Sequence, residues 1–115
     1  VIGIWRNQVN NKKKITIVGD GEQRRDFTHV VDICDALYKV GVGDEKHSDA
    51  WELGTGINYS VNEVYGMFKQ KFGSECMYIP DQKGNYRETL RENNDMVERL
   101  NWKPEDRLKE YIDSL

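Results

Sequence analysis

Ile15-Thr16-Ile17-Val18 is β-branched at every position and stops at Gly19-Asp20-Gly21. Branching at Cβ restricts χ1 and favours extended backbone. Two glycines around an aspartate then break the chain direction sharply. A short strand running into a tight bend is therefore expected, and it must find its partner in a chain otherwise patterned largely for helices. Val1, Ile2, Trp5 and Val9 form a helical stripe over residues 1–11, followed by a lysine run, Lys12 to Lys14, that reads as a solvated turn. Val30, Ile33, Leu37 and Val40 recur at helical spacing, with Val31, Cys34 and Tyr38 beside them. The spacing predicts a helix from Thr28 to a C′ glycine at Gly41, with Asp32 and Asp35 in its first turns, where the macrodipole favours negative charge.

Trp51-Glu52-Leu53 reads as a second short strand, leading into Gly54-Thr55-Gly56. Ser60 and Glu63 have the spacing of a capping box. The helix they open carries Val61, Val64, Met67, Phe68 and Phe72 on its apolar face and ends at Gly73. Cys76-Met77-Tyr78-Ile79 is the third strand, closed by Pro80. Residues 81–93 are polar without a period, and Met96, Val97 and Leu100 suggest a short helix. Pro104 suits the first position of a last helix reaching Leu115. Helices alternating with three short strands indicate an α/β class in an α+β-like arrangement.

At 115 residues the chain fits one small domain or part of a larger one. It is 37% hydrophobic and 32% charged, polar for a self-contained globule, so some apolar surface is expected to meet a neighbour. A net charge of −3 with both signs mixed argues against a nucleic-acid partner. No apolar run approaches the roughly 20 residues of a membrane-spanning helix, and a cytoplasmic location is expected. Cys34 and Cys76 fit neither a disulfide framework nor zinc spacing; they are expected as reduced core thiols, with no metal bound. The opening Val1-Ile2-Gly3, inside a helix-like stretch, suggests a start within a longer reading frame.

Four segments in order resemble one family. They are Gly19-Asp20-Gly21-Glu22-Gln23-Arg24-Arg25-Asp26-Phe27 with Thr28-His29-Val30-Val31-Asp32 and Ala36; Trp51-Glu52-Leu53-Gly54-Thr55-Gly56 with Ser60-Val61-Asn62-Glu63; Gly84-Asn85-Tyr86-Arg87-Glu88-Thr89; and Leu100-Asn101-Trp102-Lys103-Pro104 with Leu108 and Ile112. Together they resemble the C-terminal region of extended short-chain dehydrogenase/reductases, most of all NAD-dependent epimerase/dehydratases of the UDP-glucose 4-epimerase kind. The resemblance implies a two-part enzyme. An N-terminal Rossmann domain holds NAD, which takes a hydride from the sugar and returns it, while a Tyr and Lys in a Y-x-x-x-K motif assist proton removal. A smaller C-terminal part holds the nucleoside diphosphate of the substrate. Residues 1–115 are then the substrate-binding portion, with the Rossmann domain absent from this chain, no cofactor bound by it and no catalytic residue in it; alone it is expected to be inactive.

Two motifs invite confusion with that missing half. Gly54-Thr55-Gly56 begins a G-x-G, but Tyr59 stands where the third glycine of the dinucleotide fingerprint belongs, so a strand-to-helix turn is expected instead. Tyr65 and Lys69 spell Y-x-x-x-K on one helical face, but they follow the Gly-Asp-Gly segment, whereas the family's catalytic pair precedes it. They are read as a chance match on an amphipathic helix.

A pyrophosphate calls for a planar, permanently charged donor making parallel bonds, which Arg supplies and Lys does not. Arg25, behind a glycine bend and before a helix, is the first candidate, and the resemblance likewise places the Arg before Asp-Phe near the substrate phosphates. The alternative is a structural ion pair with Asp26 or Asp32. Arg24 is expected to be solvated. Gln23 is a candidate for a ribose or phosphate oxygen, with a turn hydrogen bond equally open. Many relatives carry Arg-Pro-Gly-Asp where this chain has Gln82-Lys83-Gly84-Asn85, so a second diphosphate arginine is lost; Lys83 or Arg87 is a candidate substitute, against a solvated salt-bridged surface including Arg91 and Glu88. Asp26 is read as a capping or ion-pair residue, Phe27 as core, His29 as a packed or helix-start histidine and His47 as solvent-facing. Trp5, Trp51 and Trp102 are expected in core or domain contacts.

The expected function is the nucleotide-diphosphate-sugar-binding lobe of an NAD-dependent epimerase/dehydratase, a UDP-sugar being the favoured ligand. The alternative chemistries are a sugar-nucleotide 4,6-dehydratase or a reductive epimerase. A rival of another class is a non-catalytic folded module that self-associates, as a homo-oligomer, through its uncovered apolar surface.

Overall fold

The β-branched strand β1 (Ile15–Val18) finds its partner far along the chain in β4 (Cys76–Ile79), pairing in parallel with Ile15 opposite Cys76 and Val18 opposite Ile79. This is a computed structural model; it describes residues 1–44 and 49–115, in two units: residues 1–25, 59–88 and 109–115, and residues 26–58 and 89–108. His47 lies outside the described residues.

In the first unit, helix α1 (Ile2–Asn10) covers the outer edge of β1. The Trp5 indole donates to the Thr16 carbonyl (2.8 Å), and the Gln8 amide oxygen accepts from the Thr16 backbone N–H (3.1 Å). Both backbone groups of an edge residue are thereby satisfied by side chains. Ile15 and Ile17 are fully buried with Trp5, Val61, Val64 and Phe68, and Trp5 meets Phe68 edge-on at 5.3 Å. A two-residue strand, β2 (Arg24–Arg25), pairs antiparallel with β3 (Tyr59–Ser60). Helix α3 (Val61–Phe72) starts with the expected capping box: Ser60 Oγ accepts from Glu63 N (3.0 Å) and the Glu63 carboxylate accepts from Ser60 N (2.7 Å); it closes at a left-handed Gly73.

In the second unit, α2 (Val30–Val42) and α4 (Asp95–Arg99) enclose Ala36, Met96 and Trp102, with Trp51, Leu53, Val97 and Leu100 packed around them. Trp102 is wholly buried and its indole donates to the Asp32 carbonyl at 2.8 Å. The Asp32 side chain, also buried, accepts from Arg107 Nε (3.1 Å) and from the backbone N–H of Glu105 (3.2 Å). The opposite face of α2 is apolar and exposed, with Val30 65%, Leu37 62% and Tyr38 67% accessible.

The mixed helix-and-strand class holds, while several local expectations do not. Trp51-Glu52-Leu53 does not take strand form, and the Glu52 carboxylate accepts from the backbone of Glu92 (2.8 Å) and Asn93 (3.3 Å). Pro104 does not open the last helix, because Asp32 captures the Glu105 N–H and α5 (Leu108–Asp113) begins later. Helix α2 runs through Gly41 to Val42 and is capped by Gly43. Both cysteines are free, but Cys34 is exposed on α2 and Cys76 is half-buried, so neither is a core thiol.

Candidate functional site

The Gly19-Asp20-Gly21 bend carries the chain from β1 into β2 within the first unit. Gly19 N donates to the Ile79 carbonyl (2.9 Å), continuing the β1–β4 ladder. Gly21 has φ +75°, and the Asn62 side chain occupies the space a Cβ would take, so the position admits glycine alone. Asn62 bolts the bend to the start of α3: its backbone N–H donates to the Gly21 carbonyl (2.9 Å) and its amide to the Asp20 carbonyl (3.1 Å). Beyond the bend, β2 is held on both sides, by β3 and by a bridge from Arg24 to Glu88, with Arg24 N donating to the Arg87 carbonyl (2.8 Å). The backbone that presents Arg25 is therefore fixed.

Arg25 lines a cavity of about 300 Å3 together with Trp5, Val18, Gln23, Ile79 and Asn85. Its Nη1 donates to the Arg24 carbonyl and its Nη2 to Asn85 Oδ1, both at 2.7 Å. Within the first unit its two hydrogen-bond partners are therefore neutral oxygens, not carboxylates. Gln23 is buried, 7% exposed, and its amide donates to the Val18 carbonyl (3.0 Å). Arg24, expected to be solvated, is half-buried and pairs with Glu63 at 3.3 Å.

Arg87 lines an adjoining cavity of about 220 Å3 with Asp20, Gln23, Asp81 and Asn85. Its fork is engaged by Asp20, Nη1 to Oδ1 at 2.9 Å and Nη2 to Oδ2 at 3.2 Å. The Arg87 hydrogen bonds hold the Asp20 carboxyl below its ordinary value, and Asp20 raises the guanidinium further. Arg87 thus reaches the site already neutralised. Lys83 is exposed and lines neither cavity. Sequence reasoning missed Asn62 and gave Asn85 no role; the one local signal was Gly84, which sets the turn that delivers Asn85.

In the second unit, Asp26 organises the Gly54–Gly56 loop. One carboxylate oxygen accepts from Thr55 N (2.9 Å), Thr55 Oγ1 (2.8 Å) and Thr28 Oγ1 (3.3 Å), the other from Gly56 N (3.0 Å) and Arg91 N (3.3 Å). Partial burial pushes the Asp26 carboxyl up, but the donated bonds outweigh it and hold it below the usual range. The loop amides that a dinucleotide phosphate would need already serve a carboxylate, so these residues do not fit NAD. Asp26 is a loop anchor rather than a helix cap. Phe27 is half-buried rather than in the core. His29 is the helix-start residue: its Nδ1 accepts from Val31 N (3.1 Å). Trp5 and Trp102 are buried in their respective units, and Trp51 is half-buried with the Arg99 guanidinium 5.1 Å from its ring. In the first unit Tyr65 spends its hydroxyl on the Ser74 carbonyl (3.0 Å), and burial raises its pKa, while Lys69 is exposed. Among the described residues no cluster of His, Cys, Asp or Glu has metal-binding form, and no helix is long and apolar enough to cross a membrane.

Residues 1–54 match the sequence model of the NAD dependent epimerase/dehydratase family. A Methanocaldococcus jannaschii protein provisionally named UDP-glucose 4-epimerase is 35% identical over 116 residues, covering 97% of this chain and 36% of that protein. The structure of UDP-glucose 4-epimerase from Thermotoga maritima with UDP-glucose superposes with a TM-score of 0.86 at 26% identity, over 97% of this chain and 36% of that one. MoeE5 in complex with UDP-glucose and NAD superposes with a TM-score of 0.87 at 29% identity, over 96% of this chain and 38% of that one. The chain thus spans little more than a third of the length of such relatives.

Proposed function

Because the chain belongs to the NAD-dependent epimerase/dehydratase family, we propose that it supplies the part of such an enzyme that grips the diphosphate of a nucleotide-diphosphate sugar, a UDP-sugar in an epimerase of the UDP-glucose 4-epimerase kind. NAD, which supplies the hydride chemistry in this reading, binds to the N-terminal Rossmann portion of the protein and not to residues 1–115; the working location is the cytoplasm. The observation that carries the reading is Arg25, a guanidinium oriented by two neutral oxygens on the wall of a 300 Å3 cavity. An arginine already satisfied by a carboxylate has little to gain from phosphate; one held by carbonyl-type oxygens keeps its full charge for an anion. In this reading Gln23, which lines the same cavity with its amide donating to the Val18 carbonyl, serves a ribose or phosphate oxygen, and Arg87 contributes once a ligand competes with Asp20. Lys83 serves as a long-range charge at most.

Calorimetric titration of the chain with UDP, UDP-glucose, glucose and NAD tests this. UDP and UDP-glucose should bind with similar affinity, and glucose and NAD should give no heat. Absence of binding by both uridine diphosphates, or tight binding of NAD, would overturn the reading.

The exposed stripe on α2 favours a second reading, self-association. Two copies of the helix packed antiparallel about Leu37 would bury Val30, Val31, Leu37 and Tyr38 and set the exposed Asp35 of one opposite Lys39 of the other.

A further inference from the structure

β2 holds two arginines in succession, chemically identical and one residue apart, and of the two only Arg25 lines the 300 Å3 cavity. Consecutive residues of a strand project to opposite faces. The register of β2 against β3, Arg24 opposite Ser60 and Arg25 opposite Tyr59, therefore decides which guanidinium reaches the cavity, and a slip of one residue would exchange the two faces. A ladder this short offers few backbone bonds to fix that register. Glu63 adds a side-chain contact that does. Its Oε2 accepts from Ser60 N (2.7 Å), closing the capping box of α3, and the same oxygen lies 3.3 Å from Arg24 Nη2. Ser60 is thus the ladder partner of Arg24, the cap of α3 and the residue whose amide Glu63 holds. Helix cap, strand register and ion pair meet at one carboxylate oxygen. The backbone keeps the same alignment alongside, with Val61 N donating to the Gln23 carbonyl (3.0 Å) and Arg24 N to the Arg87 carbonyl (2.8 Å).

We propose that Glu63 is a positioning residue that selects Arg25 over Arg24 for the cavity, by drawing the Arg24 guanidinium to the start of α3. The first turn of a helix favours anions, not cations, so Arg24 gains nothing there except from this carboxylate. With Arg24 held on the α3 face, strand alternation turns its neighbour to the cavity. The inference rests on the reading of Arg25 as a diphosphate ligand and adds the group that aims it.

The test is a double-mutant cycle of Glu63→Gln and Arg24→Gln, with Arg25→Ala as control, read by titration with UDP at fixed salt and by thermal melts. Glutamine at position 63 still completes a capping box, so Glu63→Gln should melt close to wild type. It also deletes a negative charge, and long-range electrostatics alone would then tighten the binding of an anion. The proposal predicts the opposite sign: Glu63→Gln should bind UDP about threefold more weakly, the size of a partly exposed ion pair. In the Arg24→Gln background, which has no second arginine to hold, the same substitution should not weaken binding. Unchanged or tighter binding by Glu63→Gln overturns the proposal. So does an equal loss in both backgrounds, which would place the effect in the helix cap. Wild type binding UDP no better than Arg25→Ala would overturn the diphosphate reading and the inference with it.

Discussion

Replacing Asp26 with Asn changes no volume but removes the acceptor around which the Gly54–Gly56 loop is built. The wild-type carboxylate accepts from three donors on one oxygen and two on the other, at 2.8–3.3 Å. An asparagine keeps one oxygen; whichever way it turns, at least two donors meet an NH2 group. Hydrogen bonds to a charged acceptor contribute about 1.5–3 kcal/mol each, so two lost bonds set a ceiling of roughly 3–6 kcal/mol. Because Asp26 is only half-buried, water replaces part of this, and about 2–4 kcal/mol is expected at pH 7. Urea unfolding followed by tryptophan fluorescence, with three tryptophans in the chain, reads this as a midpoint about 1–2 M lower. The pH dependence checks the cause. The Asp26 pKa is lowered in the folded state, so its contribution is complete above the ordinary carboxylate value and is lost as pH falls through the folded one. The gap between wild type and Asp26→Asn should therefore close in acid. A gap at pH 7 below about 0.5 kcal/mol, the range of inert surface changes, or one that does not vary with pH, refutes the argument.

Arg107→Ala leaves the Asp32 carboxylate, 7% exposed, without its cation and should cost about 3 kcal/mol in the same urea assay. Burial pushes the Asp32 carboxyl up, but the bonds from Arg107 and the Glu105 N–H hold it below its ordinary value, so the wild-type advantage is complete at neutral pH and the gap to Arg107→Ala should shrink as pH falls through the folded value. Under the self-association reading, Leu37→Asp should convert an oligomer to a monomer in sedimentation analysis; a wild-type chain that is monomeric at high concentration removes that reading.

Local chemistry was legible in the sequence, and non-local pairing was not. The capping box of Ser60 and Glu63 and the closing Gly73 were readable because their partners lie within one helix. Ile15–Val18 and Cys76–Ile79 were recognisable as strands, but nothing in either segment announced that they pair with each other in parallel. Trp51-Glu52-Leu53 has strand-like composition, yet the backbone of residues 92 and 93 bonds to the Glu52 side chain, a contact that spacing cannot reveal. Pro104 carried a valid helix-start signal that was overridden by Asp32, far back in the chain. At the site, the Gly-Asp-Gly bend pointed to Arg25, while its neutral partner Asn85 lay in a stretch with no period. Arg87 could be named as a candidate, but its capture by Asp20 depends on the fold.

The most direct measurement is the UDP affinity of wild type against Arg25→Ala, by calorimetry at low salt. Loss of one charge-assisted contact to phosphate predicts at least about a tenfold weaker dissociation constant, with the uridine contribution unchanged. Equal affinity in the two proteins would show that Arg25 does not hold the diphosphate and would contradict the account.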